Sequence, residues 1–193
     1  MSTFLTRTLT ATIFAALMLL GILWNDYSFC LLFWLITCCS LWEYHRLVAH
    51  ISPEYADISK GHRFFILVAA TGILLLLSND HFRFIGRNSN AWGMDMLITA
   101  LIFMPLSDIF FNRFRFKNIL YSFLGLASIA LSFGLLINLR LEKRWHDFPL
   151  LPLGLIICIW INDTMAYIVG SLVGRTKFFP SISPKKTWEG TIG

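Results

Sequence analysis

Charge is scarce in this chain. Asp, Glu, Lys and Arg make up 14% of its 193 residues, against about 25% in ordinary soluble domains. Hydrophobic residues reach 56%, and the mean hydropathy is +0.67. A soluble domain of this size has too little interior to hide so much apolar surface, which excludes that class and points to a polytopic membrane protein. Cysteine chemistry is also missing. Cys30, Cys38, Cys39 and Cys158 lie in or beside apolar runs, with no CxxC pair and no Cys/His ligand spacing; buried free thiols are the simplest reading. There is no internal repeat and no low-complexity tract. The N-terminal apolar stretch lacks a small-x-small cleavage site before Asn25-Asp26, so it reads as a retained helix and not as a signal peptide. The formal charge of +5 sits in short loops between apolar runs. That placement suits topology control better than nucleic-acid binding.

What is present is a series of apolar runs, at 9–24, 29–42, 64–77, 94–111, 119–139 and 150–173. They predict an all-α fold, a polytopic transmembrane helical bundle with about six spans. The first two runs are short for a hydrocarbon core that needs about 20 residues; a tilted or incompletely crossing hairpin stays open. Pro105 and Asp108 near the end of the fourth run predict a kink or an early stop. Two parts are expected: a scaffold of about five helices over 1–149, and a region over 150–193 that carries the chemistry. His45, His50 and His62 with Glu43, Glu54 and Asp57 match no metal-ligand spacing and are expected on a solvated amphipathic segment, with Asp108 at the interface. With six spans, both ends of the chain lie on one side. That side then carries most of the 16 Lys and Arg, leaving only Arg83, Arg87, Arg140, Lys143 and Arg144 opposite. The positive-inside rule therefore places the N- and C-terminal ends in the cytoplasm.

The chemistry-bearing stretch is 160–193. Asp163 falls near the middle of the sixth run. A carboxylate at the bilayer midplane costs roughly 2.5 to 3.5 kcal/mol on insertion scales, so such a group faces a polar cavity, pairs with a cation or binds a metal. The plainer alternative is a helix–helix hydrogen bond shared with Asn162 and Thr164, worth roughly 0.6 to 2 kcal/mol. Tyr167, four residues on, and Gly170 and Gly174 share its helix face. The Gly170/Gly174 pair serves either close helix contact or an open lipid-facing groove. Arg175 complements the helix C-terminus and an anionic leaflet, or anchors a lipid phosphate. In Ser183-Pro184-Lys185-Lys186-Thr187-Trp188-Glu189-Gly190, Pro184 stiffens the approach and Thr187 is a candidate helix cap. The two ammonium groups suit a polyphosphate, and the Ser183 and Thr187 hydroxyls add contacts to it. An ordinary juxtamembrane basic pair is the alternative.

Asn162-Asp163-Thr164-x-Ala166-Tyr167-x-x-Gly170, then Gly174-Arg175, then the 183–190 segment together resemble the phosphatidate cytidylyltransferases, or CDP-diacylglycerol synthases. The resemblance is specific over 160–193; upstream it extends only to hydrophobicity and span pattern. It implies a magnesium-dependent enzyme of the bacterial inner membrane that joins CTP and phosphatidate into CDP-diacylglycerol and pyrophosphate. It implies that Lys185 and Lys186 meet substrate phosphates. It also implies that Asp163 belongs to the catalytic cavity and holds Mg2+. Asn162, Tyr167, Arg175, Ser183, Thr187, Trp188 and Glu189 are expected to bind substrate. The partners expected are CTP, phosphatidate and the lipid bilayer, with a homodimer as a further expectation and no nucleic acid. The family carries a further C-terminal cluster with a lysine, paired aspartates and a His-Gly-Gly element, which this chain lacks. A truncated chain, inactive or nearly so by itself, is therefore expected. The rival readings are a transporter or scaffold using Asp163 as an intramembrane carboxylate, and a CTP-dependent lipid-alcohol kinase.

The orientation has a direct test. In a chain cleared of its native cysteines, Lys186→Cys should react with a membrane-impermeant maleimide from the cytoplasmic face of sealed vesicles and not from the opposite face.

Overall fold

The computed structural model describes residues 3–111, 113–142, 150–179 and 183–192. The chain divides into two compact units, Met1–Asp147 and Phe148–Gly193.

The first unit is helical. α1 (Thr3–Leu23) leads through a tight turn into α2 (Asp26–Ile51). The turn is fixed by a capping box: the Ser28 amide donates to Asn25 Oδ1 at 2.8 Å and the Asn25 amide to Ser28 Oγ at 3.0 Å. α3 (Pro53–Ala56) is a single turn before α4 (Lys60–Leu76). A two-residue hairpin of β1 (Arg83–Phe84) and β2 (Arg87–Asn88) leads into α5 (Ser89–Phe110). Ile85 and Gly86 at its tip both have positive φ, 50° and 75°, as a tight primed turn requires. α6 (Phe116–Gly125) runs through one π turn, Leu126–Ala130, into α7 (Leu131–Leu141).

In the second unit, α8 (Leu151–Leu172) is followed by an antiparallel hairpin of β3 (Lys177–Phe179) and β4 (Ser183–Thr187) and by the short α9 (Trp188–Ile192).

Four of these helical runs are long and apolar enough to cross a bilayer: Asp26–Ile51, Ser89–Phe110, Phe116–Leu141 and Leu151–Leu172. α1, apolar over Thr8–Leu23, and α4, with 17 residues, are shorter. The fold is an all-α membrane bundle. The outward faces are apolar, with Leu20, Leu101, Ile102, Leu120 and Leu135 each at least half exposed, as lipid contact demands. Two details differ from the sequence reading. α2 does not stop at Trp42 but carries Glu43 to Ile51 as two further turns; its 26 residues span roughly 39 Å, more than a hydrocarbon core. Of the kink or early stop expected near Pro105, the early stop does not occur: the proline lies inside α5, which continues past it to Phe110.

Small residues set the packing of the first unit. Leu41, Ile66, Ala69, Ala70, Ala100, Met104, Leu126 and Ala130 form one buried cluster. α4 and α5 touch backbone to backbone at Gly72 and Gly93. A Cβ on Gly93 would lie 2.6 Å from the Leu76 amide nitrogen and 2.7 Å from the Gly72 carbonyl oxygen. Close approach of this kind drives helix association in lipid, where apolar burial alone supplies little.

Polar groups are concentrated toward the helix ends. At one end, Arg140 Nε donates to Asp26 Oδ1 at 2.9 Å, tying the end of α7 to the start of α2. The other end corrects the sequence reading more sharply. His62 and Asp108, expected on solvated or interfacial segments, are both fully buried. The Asp108 carboxyl lies 2.5 Å from His62 Nδ1 and accepts from the Ser59 amide at 3.1 Å. His62 Nε2 lies 2.7 Å from Ser122 Oγ, which lies 3.1 Å from the Tyr55 hydroxyl, itself 2.6 Å from His45 Nδ1. Burial pushes the Tyr55 phenol up to about 12, so it keeps its proton as a donor. The network links α2, α3, α4, α5 and α6.

Two substitutions should show what holds this unit together. Asp108→Ala strands a buried imidazole and should cost about 3 to 5 kcal/mol. Gly93→Leu should separate α4 from α5. Both should lower the thermal unfolding temperature in detergent, whereas Ile102→Ala on the lipid-facing side should leave it nearly unchanged.

Candidate functional site

The sequence-expected site lies in the second unit. α8 enters through Pro152 in its first turn, where the missing amide costs nothing, and then runs apolar to Asp163. Asn162, Asp163, Thr164 and Tyr167 are all exposed; Tyr167 is 76% exposed. The Thr164 hydroxyl donates back to the Trp160 carbonyl at 2.7 Å, so it is committed to its own helix. Asp163 has no hydrogen bond or ion pair to any of the described residues.

The glycines beyond it have a definite use. A Cβ on Gly190 would lie 2.7 Å from the Ala166 carbonyl oxygen and 2.8 Å from Gly170 Cα. A Cβ on Gly174 would lie 2.6 Å from Thr187 Oγ1. Thr187 thus sits against the Gly170–Gly174 level of α8 and Gly190 against the Ala166–Gly170 level. α9 therefore runs antiparallel to α8 and climbs its small-residue face toward Asp163. Of the two uses open to the Gly170/Gly174 pair, the structure shows close contact, made with Thr187 at the end of β4 and Gly190 of α9.

The 183–190 segment is a strand and a helix start, not an open loop. Thr187 Oγ1 accepts from the Gly190 amide at 3.2 Å and so caps α9. The Trp188 amide donates to the Thr176 carbonyl at 2.9 Å, and the Trp188 and Phe178 rings meet edge to face at 4.4 Å. The Glu189 carboxylate accepts from the Arg175 amide at 3.2 Å and the Thr176 amide at 3.1 Å. Its own amide, Thr176 and Arg175 hold the carboxyl below the usual carboxylate range. Glu189 therefore closes the hairpin onto the end of α8, a role that sequence reasoning missed.

Ser183, Lys185 and Lys186 lie on β4. The Lys186 side chain is exposed, Ser183 is half-buried, and the side chain of Lys185 is outside the described set. Arg175 is exposed at the end of α8. The structure joins Thr187, Trp188, Glu189, Gly170 and Gly174 in one assembly, but it does not put Asp163 in contact with Lys186. Asp163 is seven residues, roughly 10 Å along the helix axis, from the Gly170 level where Thr187 packs. A ligand engaging both must bridge that interval along α8.

Among the described residues, no group of three or more His, Cys, Asp and Glu side chains is placed to hold a metal. Mg2+ asks for less than such a cage: one or two carboxylates, with water and substrate phosphates completing the shell. Asp163, exposed and uncommitted among the described residues, fits as one such ligand. Glu189, held by backbone amides, does not.

A sequence model of the cytidylyltransferase family matches residues 5–193, well beyond the 160–193 stretch that carries the motifs. The chain is 29% identical over 132 residues to the phosphatidate cytidylyltransferase of Staphylococcus saprophyticus, covering 66% of this chain and 46% of that protein. It is 26% identical over 132 residues to the protein of that name from Staphylococcus aureus, with the same coverage. It is 27% identical over 199 residues to that of Haemophilus influenzae, covering 97% of this chain and 67% of the relative. The chain thus spans about half the length of the staphylococcal relatives it matches. No solved structure matches.

The Glu189 contacts predict a pH response. A depressed carboxyl stabilises the hairpin fully above its ordinary value, and this contribution is lost as pH falls through the depressed one. The protection factors of the Arg175 and Thr176 amides, each taken against intrinsic exchange at the same pH, should therefore be high at neutral pH and fall in acid. Glu189→Gln should be less protected at neutral pH and lose the acid step.

Proposed function

The chain belongs to the cytidylyltransferase family, and on that premise we propose that it carries part of the substrate-binding machinery of a phosphatidate cytidylyltransferase in a bacterial inner membrane. The observation that carries the reading is a family match running through an α8 with an exposed, uncommitted carboxylate and a following hairpin with adjacent lysines. In the proposed reaction a phosphatidate phosphate oxygen attacks the α-phosphorus of CTP. The bond from that phosphorus to the bridging oxygen breaks, pyrophosphate leaves, and CDP-diacylglycerol remains. Both reactants are anions, so the main task is to hold negative charges together.

Each residue then has a role. Lys185 and Lys186, on a strand facing the cytoplasm, hold phosphates of CTP or phosphatidate as mobile point charges. Arg175, at the end of α8, is suited to the lipid phosphate. Asp163 would hold Mg2+, which when bound supplies charge neutralisation at the phosphates. Asn162 and Tyr167, exposed on α8 beside Asp163, contact substrate. Ser183 contributes its hydroxyl. Thr187, Trp188 and Glu189 act through the hairpin, keeping β4 at a fixed height on α8.

CTP binding to the chain in nanodiscs containing phosphatidate tests this. Saturable binding should require Mg2+ and weaken at least tenfold in a Lys185→Ala, Lys186→Ala variant that still inserts into membranes. Any turnover should move label from the α-phosphate of CTP into lipid. Transfer of γ-label into lipid, or binding indifferent to both lysines, would overturn the proposal.

A further inference from the structure

The first unit contains a cleft of about 670 Å³ between α2, α3 and the start of α4, lined by residues of that unit. Its walls change character with depth. Cys38, Cys39, Trp42, Phe64 and Leu67 make the apolar part, and Arg46 and Arg63 stand at the polar part, where α2 approaches its end and α4 begins. None of the described residues lining it bears a carboxylate. Arg46 is one side-chain row beyond Trp42 and roughly 10 Å along α2 from Cys39. Trp42 and Phe64 are 71% and 60% exposed, so the apolar part opens laterally.

The cationic groups have donors to spare. Arg63 commits one N–H, from Nη2 to the Ala56 carbonyl at 2.9 Å. Arg46 is in a long 3.7 Å contact with Glu43, with both side chains more than half exposed, an arrangement worth little in water. A guanidinium carries five donors. The third polar group is His45. Its Nδ1 is held by Tyr55, while its Nε2 is buried without a hydrogen-bond partner among the described residues. His45 thus lines the cleft as a polar residue together with the two arginines.

We propose that this cleft binds an anionic glycerophospholipid, its phosphate held by Arg46 and Arg63 and its acyl chains lying along Cys39, Phe64 and Leu67. A soluble anion would satisfy the arginines but leave the apolar wall open, whereas a zwitterionic lipid would bring its own cation to the two guanidiniums. An anionic lipid answers both halves. Planar guanidinium forks suit phosphate oxygens, and Trp42 is of the amphipathic type enriched at membrane interfaces. The buried network behind the cleft, from His45 through Tyr55 to Ser122, His62 and Asp108, keeps its polar wall rigid. The proposal rests on residues of the first unit and does not depend on the function proposed for Asp163 and the lysine hairpin.

Native mass spectrometry of the chain released from nanodiscs containing equal phosphatidylcholine and phosphatidylglycerol tests the proposal. The chain should retain phosphatidylglycerol over phosphatidylcholine, and Arg46→Ala with Arg63→Ala should reduce that retention at least tenfold. Cys39→Trp, which fills the apolar part and keeps both arginines, should do the same, and it covers the case in which the arginine variant fails to fold. Replacing Phe64 with p-benzoylphenylalanine should give a light-induced adduct with lipid. Equal retention of the two lipids, retention unaffected by either variant, displacement by inorganic phosphate alone, or an adduct mainly with a second copy of the chain would each overturn it.

Discussion

A carboxylate and an imidazole shut away from water constrain the first unit more than any apolar contact does. Asp108 and His62 are fully buried and bonded to each other, and each needs further partners that neighbouring segments must supply. Asp108 takes the Ser59 amide, just before α4. His62 takes Ser122 from α6, and through Ser122 reaches Tyr55 on α3 and His45 on α2. Apolar surfaces in lipid can slide past one another at little cost, because the surrounding chains are equally apolar. A directional polar network cannot slide, since each displaced group is left unsatisfied. The network therefore sets the register of the bundle, and the Gly72–Gly93 contact sets how closely α4 and α5 approach.

The second unit solves a related problem with shape. Its main helix is met by the return of the chain over Gly170 and Gly174. Thr187 fits into the space those glycines leave and caps α9 at the same time. Glu189 closes the hairpin from the other side. The motif that reads as chemistry is thus also local architecture: only part of it remains available for a ligand, chiefly Asp163 on the helix and Lys186 on the strand. The remaining motif residues determine where those two stand.

How much of this was legible beforehand differs residue by residue. The six apolar runs were plain, because hydropathy over a long window survives any detail of packing. Their ends were less so: the charged residues Glu43 and Arg46 suggested that α2 had stopped, yet the helix continues, since at the interface polar side chains are no reason to break backbone hydrogen bonds. The Thr187 cap was legible from residue type and position. The Glu189 role was not, because its partners, the amides of Arg175 and Thr176, lie 14 and 13 residues away and main-chain donors leave no mark in a sequence. His62 and Asp108 were misread for a similar reason. They are 46 residues apart, and each alone looks like an ordinary interfacial polar residue.

What the chain's residues determine by themselves is its medium and its kinship: too few charges and too many apolar runs for water, and a motif over 160–193 whose family match extends from residue 5 to residue 193. These properties are sums and strings, read along one dimension. Which polar groups are buried, which glycines meet backbone, and which arginines face a common cleft were decided only by tertiary structure. Such facts belong to pairs of residues distant in the chain, and a pair acquires its energy only when folding brings both members within hydrogen-bonding reach.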